Sequence, residues 1–111
     1  MGRNRTKDLL QGALELLVLR LLRREPLNGW DIMHRLQLVS GDVLSVTAGS
    51  LYPALHRLEA RGLVSAAWTL SENNRRARVY RITAAGRRQL EVERDTWTRF
   101  SGAVDALLRN A

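Results

Sequence analysis

Apolar residues recur at helical spacing at the start of the chain. From Leu9 to Arg24, positions Leu10, Ala13, Leu14, Leu17, Val18, Leu21 and Leu22 return every three to four residues, and Leu9, Leu16 and Leu19 widen the stripe. So broad an arc exceeds what one packing partner covers, so this first helix is expected between the domain core and a second surface. Pro26 ends it, because the residue before a proline is steered out of the helical region. Asn28 then caps a second helix, with Asp31 in its first turn favoured by the helix dipole and Ile32, Met33 and Leu36 on its buried side. That helix fades near Ser40 and Gly41, and Asp42 to Val46 reads as a short linker with room for a little extended structure.

Thr47 reads as the N-cap of a third helix running to about Arg61, with Gly62 as its left-handed stop. Leu51, Leu55 and Leu58 share one side. The opposite side carries Gly49, Pro53, His56 and Ala60, flanked by Ser50, Tyr52 and Arg57, a small and polar face directed outward. Pro53 removes a helical hydrogen bond at a cost of about 3 kcal/mol, which predicts a kink or a loosened first turn. Leu63 to Leu70 and Ala77 to Ile82 read as strands joined by Ser71-Glu72-Asn73-Asn74, forming a hairpin. Alternation puts Arg76 and Arg78 on the face opposite Val79. Trp30 and Trp68 are expected in core or near-surface packing. Thr83 caps a last helix reaching nearly to the terminus, where Leu90, Trp97, Phe100, Val104, Leu107 and Leu108 form a stripe with little of the domain left to pack on.

Three helices followed by a two-stranded hairpin is the order of a winged helix-turn-helix, so the expected class is mainly α with a small β-hairpin. In that order the third helix enters the DNA major groove and the hairpin touches the flanking backbone or minor groove. The candidate DNA contacts are therefore Thr47, Ser50, Tyr52, Pro53, His56 and Arg57 on the third helix, with Asn74, Arg75, Arg76 and Arg78 on the wing. Thr47 and Ser50 can donate to phosphate while capping, Arg57 can clamp a phosphate from the flank, and guanidinium groups both neutralise phosphate and fit a narrow minor groove. Arg61, close to the helix end, is expected to complement the helix dipole, and Arg81 to pair with an acid.

Charge agrees with this placement. Eighteen Lys and Arg against eleven Asp and Glu leave a formal +7, which favours a polyanionic partner. Arg75, Arg76, Arg78 and Arg81 have no acid among them, whereas the next segment holds Glu91, Glu93 and Asp95. At 111 residues, 45% hydrophobic and 26% charged, the chain has the size and composition of one folded domain. It has no cysteine, hence no disulfide framework, thiolate nucleophile or cysteine-zinc site. Leu9 to Leu22 is interrupted by Gln11, Glu15 and Arg20 and falls short of a membrane span, and Met1 to Leu10 is unlike a secretory signal, so a cytoplasmic protein with no membrane partner is expected. His34 and His56, the two histidines, fall on different helices with no nucleophile elbow or phosphate loop nearby, so no enzyme is expected. Glu91, Glu93 and Asp95 spread around a helix, so neither metal nor other cofactor is expected.

The run Leu51-Tyr52-Pro53-Ala54-Leu55-His56-Arg57-Leu58-Glu59-Ala60-Arg61-Gly62-Leu63, preceded by Gly49-Ser50 and by Pro26 to Trp30, resembles the PadR family of bacterial transcriptional regulators. Arg78-Val79-Tyr80-Arg81-Ile82-Thr83-Ala84-Ala85-Gly86 is similar to that family's return strand and its entry to the C-terminal helix. Trp30 stands where members usually have tyrosine. The wing reads Ser-Glu-Asn-Asn-Arg-Arg where many have a glycine-containing turn, though asparagine tolerates the same backbone geometry.

The resemblance implies a homodimeric repressor of the short subfamily, on an operator that is an inverted repeat in double-stranded DNA. Residues 1–83 would form the DNA-binding domain, and 84–111 a C-terminal dimerisation helix packed with the N-terminal helix. The expected interface residues are Leu10, Leu14 and Leu17 with Leu90, Trp97, Phe100, Val104 and Leu107. Trp97 is either interface core or, with its symmetry mate, the lining of a pocket for a small apolar or aromatic effector. The rival reading from another class is a protein-interaction module on the same fold, with the arginines as solubilising surface. Non-specific DNA compaction is a third.

Overall fold

Side-chain caps set where three of the four helices begin. The computed structural model describes residues 5–70 and 73–110. The Asn28 side chain accepts from the Asp31 amide at 2.8 Å and starts α2 (Gly29–Val39). Thr47 accepts from the Ser50 amide at 3.3 Å and starts α3 (Ala48–Ala60). Thr83 accepts from the Gly86 amide at 3.0 Å and starts α4 (Ala84–Asn110). Each cap satisfies an amide that has no partner inside its own helix. Before them runs α1 (Arg5–Arg24), longer at its start than the apolar stripe from Leu9 indicates. Gly62 adopts φ +73° just past α3, and the Leu63 amide turns back to the Leu58 carbonyl at 2.9 Å, closing the helix as the sequence predicts. At Pro53, by contrast, α3 continues as a single helix; the proline lies in the second turn and removes one bond, to the Gly49 carbonyl.

The sheet has one strand more than the hairpin. β2 (Val64–Leu70) and β3 (Arg76–Ile82) pair antiparallel with Trp68 opposite Arg78 and Val64 opposite Ile82. β1 (Leu27–Asn28) adds to the free side of β3, with Leu27 opposite Tyr80 and Asn28 opposite Val79, giving the order β1-β3-β2. Two residues are too few to show alternation, which is why this strand is invisible in the sequence. Asp42 to Val46, where a little extended structure was allowed for, forms none. In the wing turn, Ser71 and Glu72 lie outside the described residues, and Asn74 takes φ +60°, the left-handed conformation asparagine accepts in place of glycine.

The core gathers one face from nearly every element. Leu14, Val18, Leu19 and Leu22 of α1 pack with Ile32 and Leu36 of α2, Leu51, Leu55 and Leu58 of α3, and Tyr80 of β3. Leu10, Leu14 and Leu90, expected at a dimer interface, belong to this core. They are 5%, 1% and 1% exposed within the single chain, so they have almost no surface left to offer a second copy. Leu17 is partly buried against the same cluster. Trp30 and Trp68 stand at the surface.

α4 leaves the core after two turns. Gly86 and Leu90 are its buried residues, and a side-chain carbon added at Gly86 would run into the Leu63 carbonyl and the Ile82 side chain. The glycine thus lets α4 start flush against the sheet. An ion pair between Arg23 and Glu91 at 3.2 Å then ties α4 to α1. Beyond it the helix projects: the radius of gyration is 15.5 Å, against about 13 Å expected for a compact chain of this length, and the longest dimension is 56 Å.

Candidate nucleic-acid interface

The third helix buries Leu51, Ala54, Leu55 and Leu58 and so turns Gly49, Tyr52, Pro53, His56 and Ala60 outward. Tyr52 is 39% exposed and its ring lies across the start of α2. A side-chain carbon on Gly29 would collide with the phenol oxygen and ring, so glycine there is what gives Tyr52 its position. Between α3 and the hairpin opens a cleft of about 430 Å³ bordered by Gly29, Trp30, Tyr52, His56, Trp68, Arg76, Arg78 and Tyr80. Burial holds the Tyr80 phenol above its ordinary pKa; nearby Arg78 works against this, while Glu59 and Tyr52 add to it.

Of the residues expected to contact DNA, the fold brings Tyr52, His56, Arg76 and Arg78 around this one cleft. Pro53 is exposed on the same helix face. Thr47 and Ser50 stand at the helix start with their hydroxyls 3.4 Å apart and Thr47 engaged in the cap. Asn74 and Arg75 are exposed at the wing tip.

Arg57 points elsewhere. Its Nε donates to Glu15 of α1 at 3.0 Å, and Arg61 reaches the other oxygen of the same carboxylate at 3.2 Å. Glu15 therefore straps the end of α3 to α1, and Arg61, expected to complement the helix end, turns its guanidinium to this pairing. Arg78 donates through Nη2 to Glu59 of α3 at 2.9 Å, while Arg76 lies over the Trp68 ring at 4.7 Å. Among the described residues Arg81 forms no ion pair.

Sequence reasoning missed three residues of this surface, Trp68, Trp30 and Glu59, and also Glu15, the α1 carboxylate that draws Arg57 away from it. Trp68 carried a signal, since the hairpin register sets it directly across from Arg78. Trp30 carried one too: His34, one helical turn on, stacks on it with ring centroids 5.0 Å apart and 13° between planes.

A second concavity, of about 500 Å³, lies between α1 and α4. Gly12, Ala13, Glu15 and Leu16 form one wall; Gln89, Val92, Glu93, Thr96, Trp97 and Phe100 form the other, and Arg61 closes an end. Trp97 and Phe100 meet at 5.9 Å with rings tilted by 42°. They are 45% and 58% exposed, and Val104 and Leu107 further along the helix are exposed as well. Among the described residues no helix is long and apolar enough to cross a membrane.

Comparison with known proteins gives a consistent result. The family described as Transcriptional regulator PadR-like family matches residues 18–92. A 37.1 kDa protein of a Streptomyces fradiae transposon is 43% identical over 90 residues, 81% of this chain, and the chain spans 24% of that relative's length. A transcriptional regulator of Mycobacterium tuberculosis is 49% identical over 49 residues, covering 44% of this chain and 45% of that protein. Among solved structures, a PadR family transcriptional regulator from Eggerthella lenta is 31% identical with a TM-score of 0.79, covering 94% of this chain and 88% of that one. A PadR-like transcriptional regulator from Bacillus cereus is 28% identical with a TM-score of 0.80, over 94% and 99% of the two chains.

Proposed function

The chain belongs to the PadR-like family of transcriptional regulators, and from that premise we propose a sequence-specific, homodimeric repressor that occupies an inverted-repeat operator in double-stranded DNA. Family membership makes it a regulator of transcription, not an enzyme. The observation that carries the finer reading is the cleft in which the polar face of α3 meets the arginine-bearing strand of the wing. Tyr52 and His56 face the major groove from α3, while Thr47, Ser50 and Pro53 meet the backbone at its start. Asn74, Arg75 and Arg76 bring positive charge to the flanking phosphates or minor groove. Residues 1–83 act as the DNA-binding domain and 84–111 as the dimerisation helix. The protein works in the cytoplasm, where a bacterial chromosome lies.

The dimer reading draws on the stripe that α4 leaves uncovered, Trp97, Phe100, Val104 and Leu107, and on Leu17 of α1, which the core covers only in part. Effector release draws on the concavity between α1 and α4. A small apolar or aromatic molecule against Trp97 there would also touch Glu15, which holds Arg57 and Arg61 of α3. Binding that differs between two separations of the paired third helices would then shift operator affinity.

The test is selection of bound duplexes from a random pool, followed by titration of the enriched site and of a scrambled duplex. An enriched inverted repeat, with scrambled DNA bound at least a thousandfold more weakly, is the expected outcome; specific sites are typically about 10³–10⁷ tighter than non-specific ones. No enrichment, with weak binding that vanishes as salt rises, would overturn it.

A further inference from the structure

The two wing arginines that share a face of β3 are held in different ways. Arg78 donates to Glu59 at 2.9 Å, so its charge is met by a carboxylate on α3. Its guanidinium also lies 5.8 Å from the Trp68 ring and 6.0 Å from the Tyr80 ring, and its Nε is buried without a hydrogen-bond partner among the described residues. Arg78 is therefore turned into the protein from several sides. Arg76, two residues nearer the wing tip, has no carboxylate partner among the described residues and rests on the exposed Trp68 ring at 4.7 Å. A ring face attracts a cation without neutralising it, so Arg76 keeps its full charge while losing freedom to wander.

We propose that the two arginines divide the work: Arg78, clamped by Glu59, is a positioning residue that fixes the wing to α3, and Arg76, presented on Trp68, makes the phosphate contact. The proposal rests on the operator-binding reading and refines it. The charge on Arg78 is already spent on Glu59 in the free protein, so contact with phosphate would first require breaking a charge-assisted bond. The same bond couples two elements that must hold a fixed separation if α3 is to lie in a groove while the wing lies on the adjacent backbone. Trp68, exposed to 56%, is too open to be a core residue, and holding Arg76 gives it a role at the surface.

Counterion release separates the two roles. Each phosphate contact contributes about 0.9 to the slope of log affinity against log salt on duplex DNA. The wild type and three variants are titrated on the enriched duplex at several salt concentrations. Arg76→Gln is expected to bind at least tenfold more weakly with a slope shallower by about 0.9. Arg78→Gln combined with Glu59→Gln leaves the net charge unchanged, and is expected to bind several-fold more weakly with the wild-type slope. Trp68→Leu is expected to weaken binding several-fold at unchanged slope, with Trp68→Phe recovering most of it.

A slope that falls by about 0.9 in the charge-balanced double variant would overturn the proposal, as would an unchanged slope in Arg76→Gln. If thermal melting shows the double variant unfolded, the arginine Nε–H resonances of the unmodified protein decide instead. Arg76 shifting on addition of duplex while Arg78 stays in place supports the division, and the reverse defeats it. Failure of the operator reading itself is seen separately, in a wild-type titration that does not distinguish the enriched duplex from scrambled DNA.

Discussion

Tyr52 stands where it does because position 29 has no side chain. Gly29→Ala would push the phenol off the start of α2 and into solvent. Tyr52 is half-exposed and can swing away, so the expected loss of stability is modest, about 1–2 kcal/mol, at the low end for added bulk at a packed site. Duplex affinity should fall at least tenfold, and Tyr52→Ala should fall equally with no further loss when the two changes are combined. Additive losses, measured by titration of all three variants, would show that Gly29 matters for another reason. At this scale the sequence was readable where periodicity applied: the outward set Tyr52, Pro53 and His56 follows from the spacing of Leu51, Leu55 and Leu58. It was unreadable where a partner lay far along the chain. Arg57 and Arg78 look alike in sequence as free cations, but their carboxylates, Glu15 and Glu59, stand 42 and 19 residues away, a distance no local pattern spans.

Among elements, the joint between the wing and α4 rests on Thr83. Its side chain accepts from the Gly86 amide at 3.0 Å and donates to the Gly62 carbonyl at 2.7 Å, so one hydroxyl caps α4 and fastens it to the end of α3. Thr83→Ala removes both bonds, and the expected loss is about 1–2 kcal/mol, read from thermal or denaturant unfolding. Thr83→Ser should keep most of it; an equal loss in both would assign the effect to the methyl group rather than the hydroxyl. The caps Asn28, Thr47 and Thr83 and the stop at Gly62 are all legible in the sequence, because each is a local interaction within a few residues. β1 is not, since Leu27 and Asn28 become a strand only by lying beside Tyr80 and Val79. Pro53 leaves α3 a single helical element: the one missing bond in the second turn is outweighed by the burial of Leu51, Ala54, Leu55 and Leu58 around it.

For the whole molecule, the apolar stripe of α4 is a surface that a single chain leaves uncovered. Leu10, Leu14 and Leu90 share the spacing of that stripe, and spacing alone cannot tell a neighbour in the same chain from one in a second copy. Burial separates them: these three are filled by the chain's own core, while Trp97, Phe100, Val104 and Leu107 remain open. Phe100→Ala is expected to weaken dimerisation by about 3 kcal/mol, the scale for deleting a fully buried aromatic ring, which sedimentation velocity over a concentration series would detect. The monomer fold should melt unchanged at concentrations where no dimer forms. A dimer of this kind sets two copies of α3 on one face of the duplex, about one helical turn apart. Hydroxyl-radical footprinting on the enriched duplex measures that arrangement most directly. The expected pattern is two protected tracts related by a two-fold axis, with centres about 10 base pairs apart. One protected tract, or even protection along the whole duplex, would contradict a dimeric, site-specific regulator.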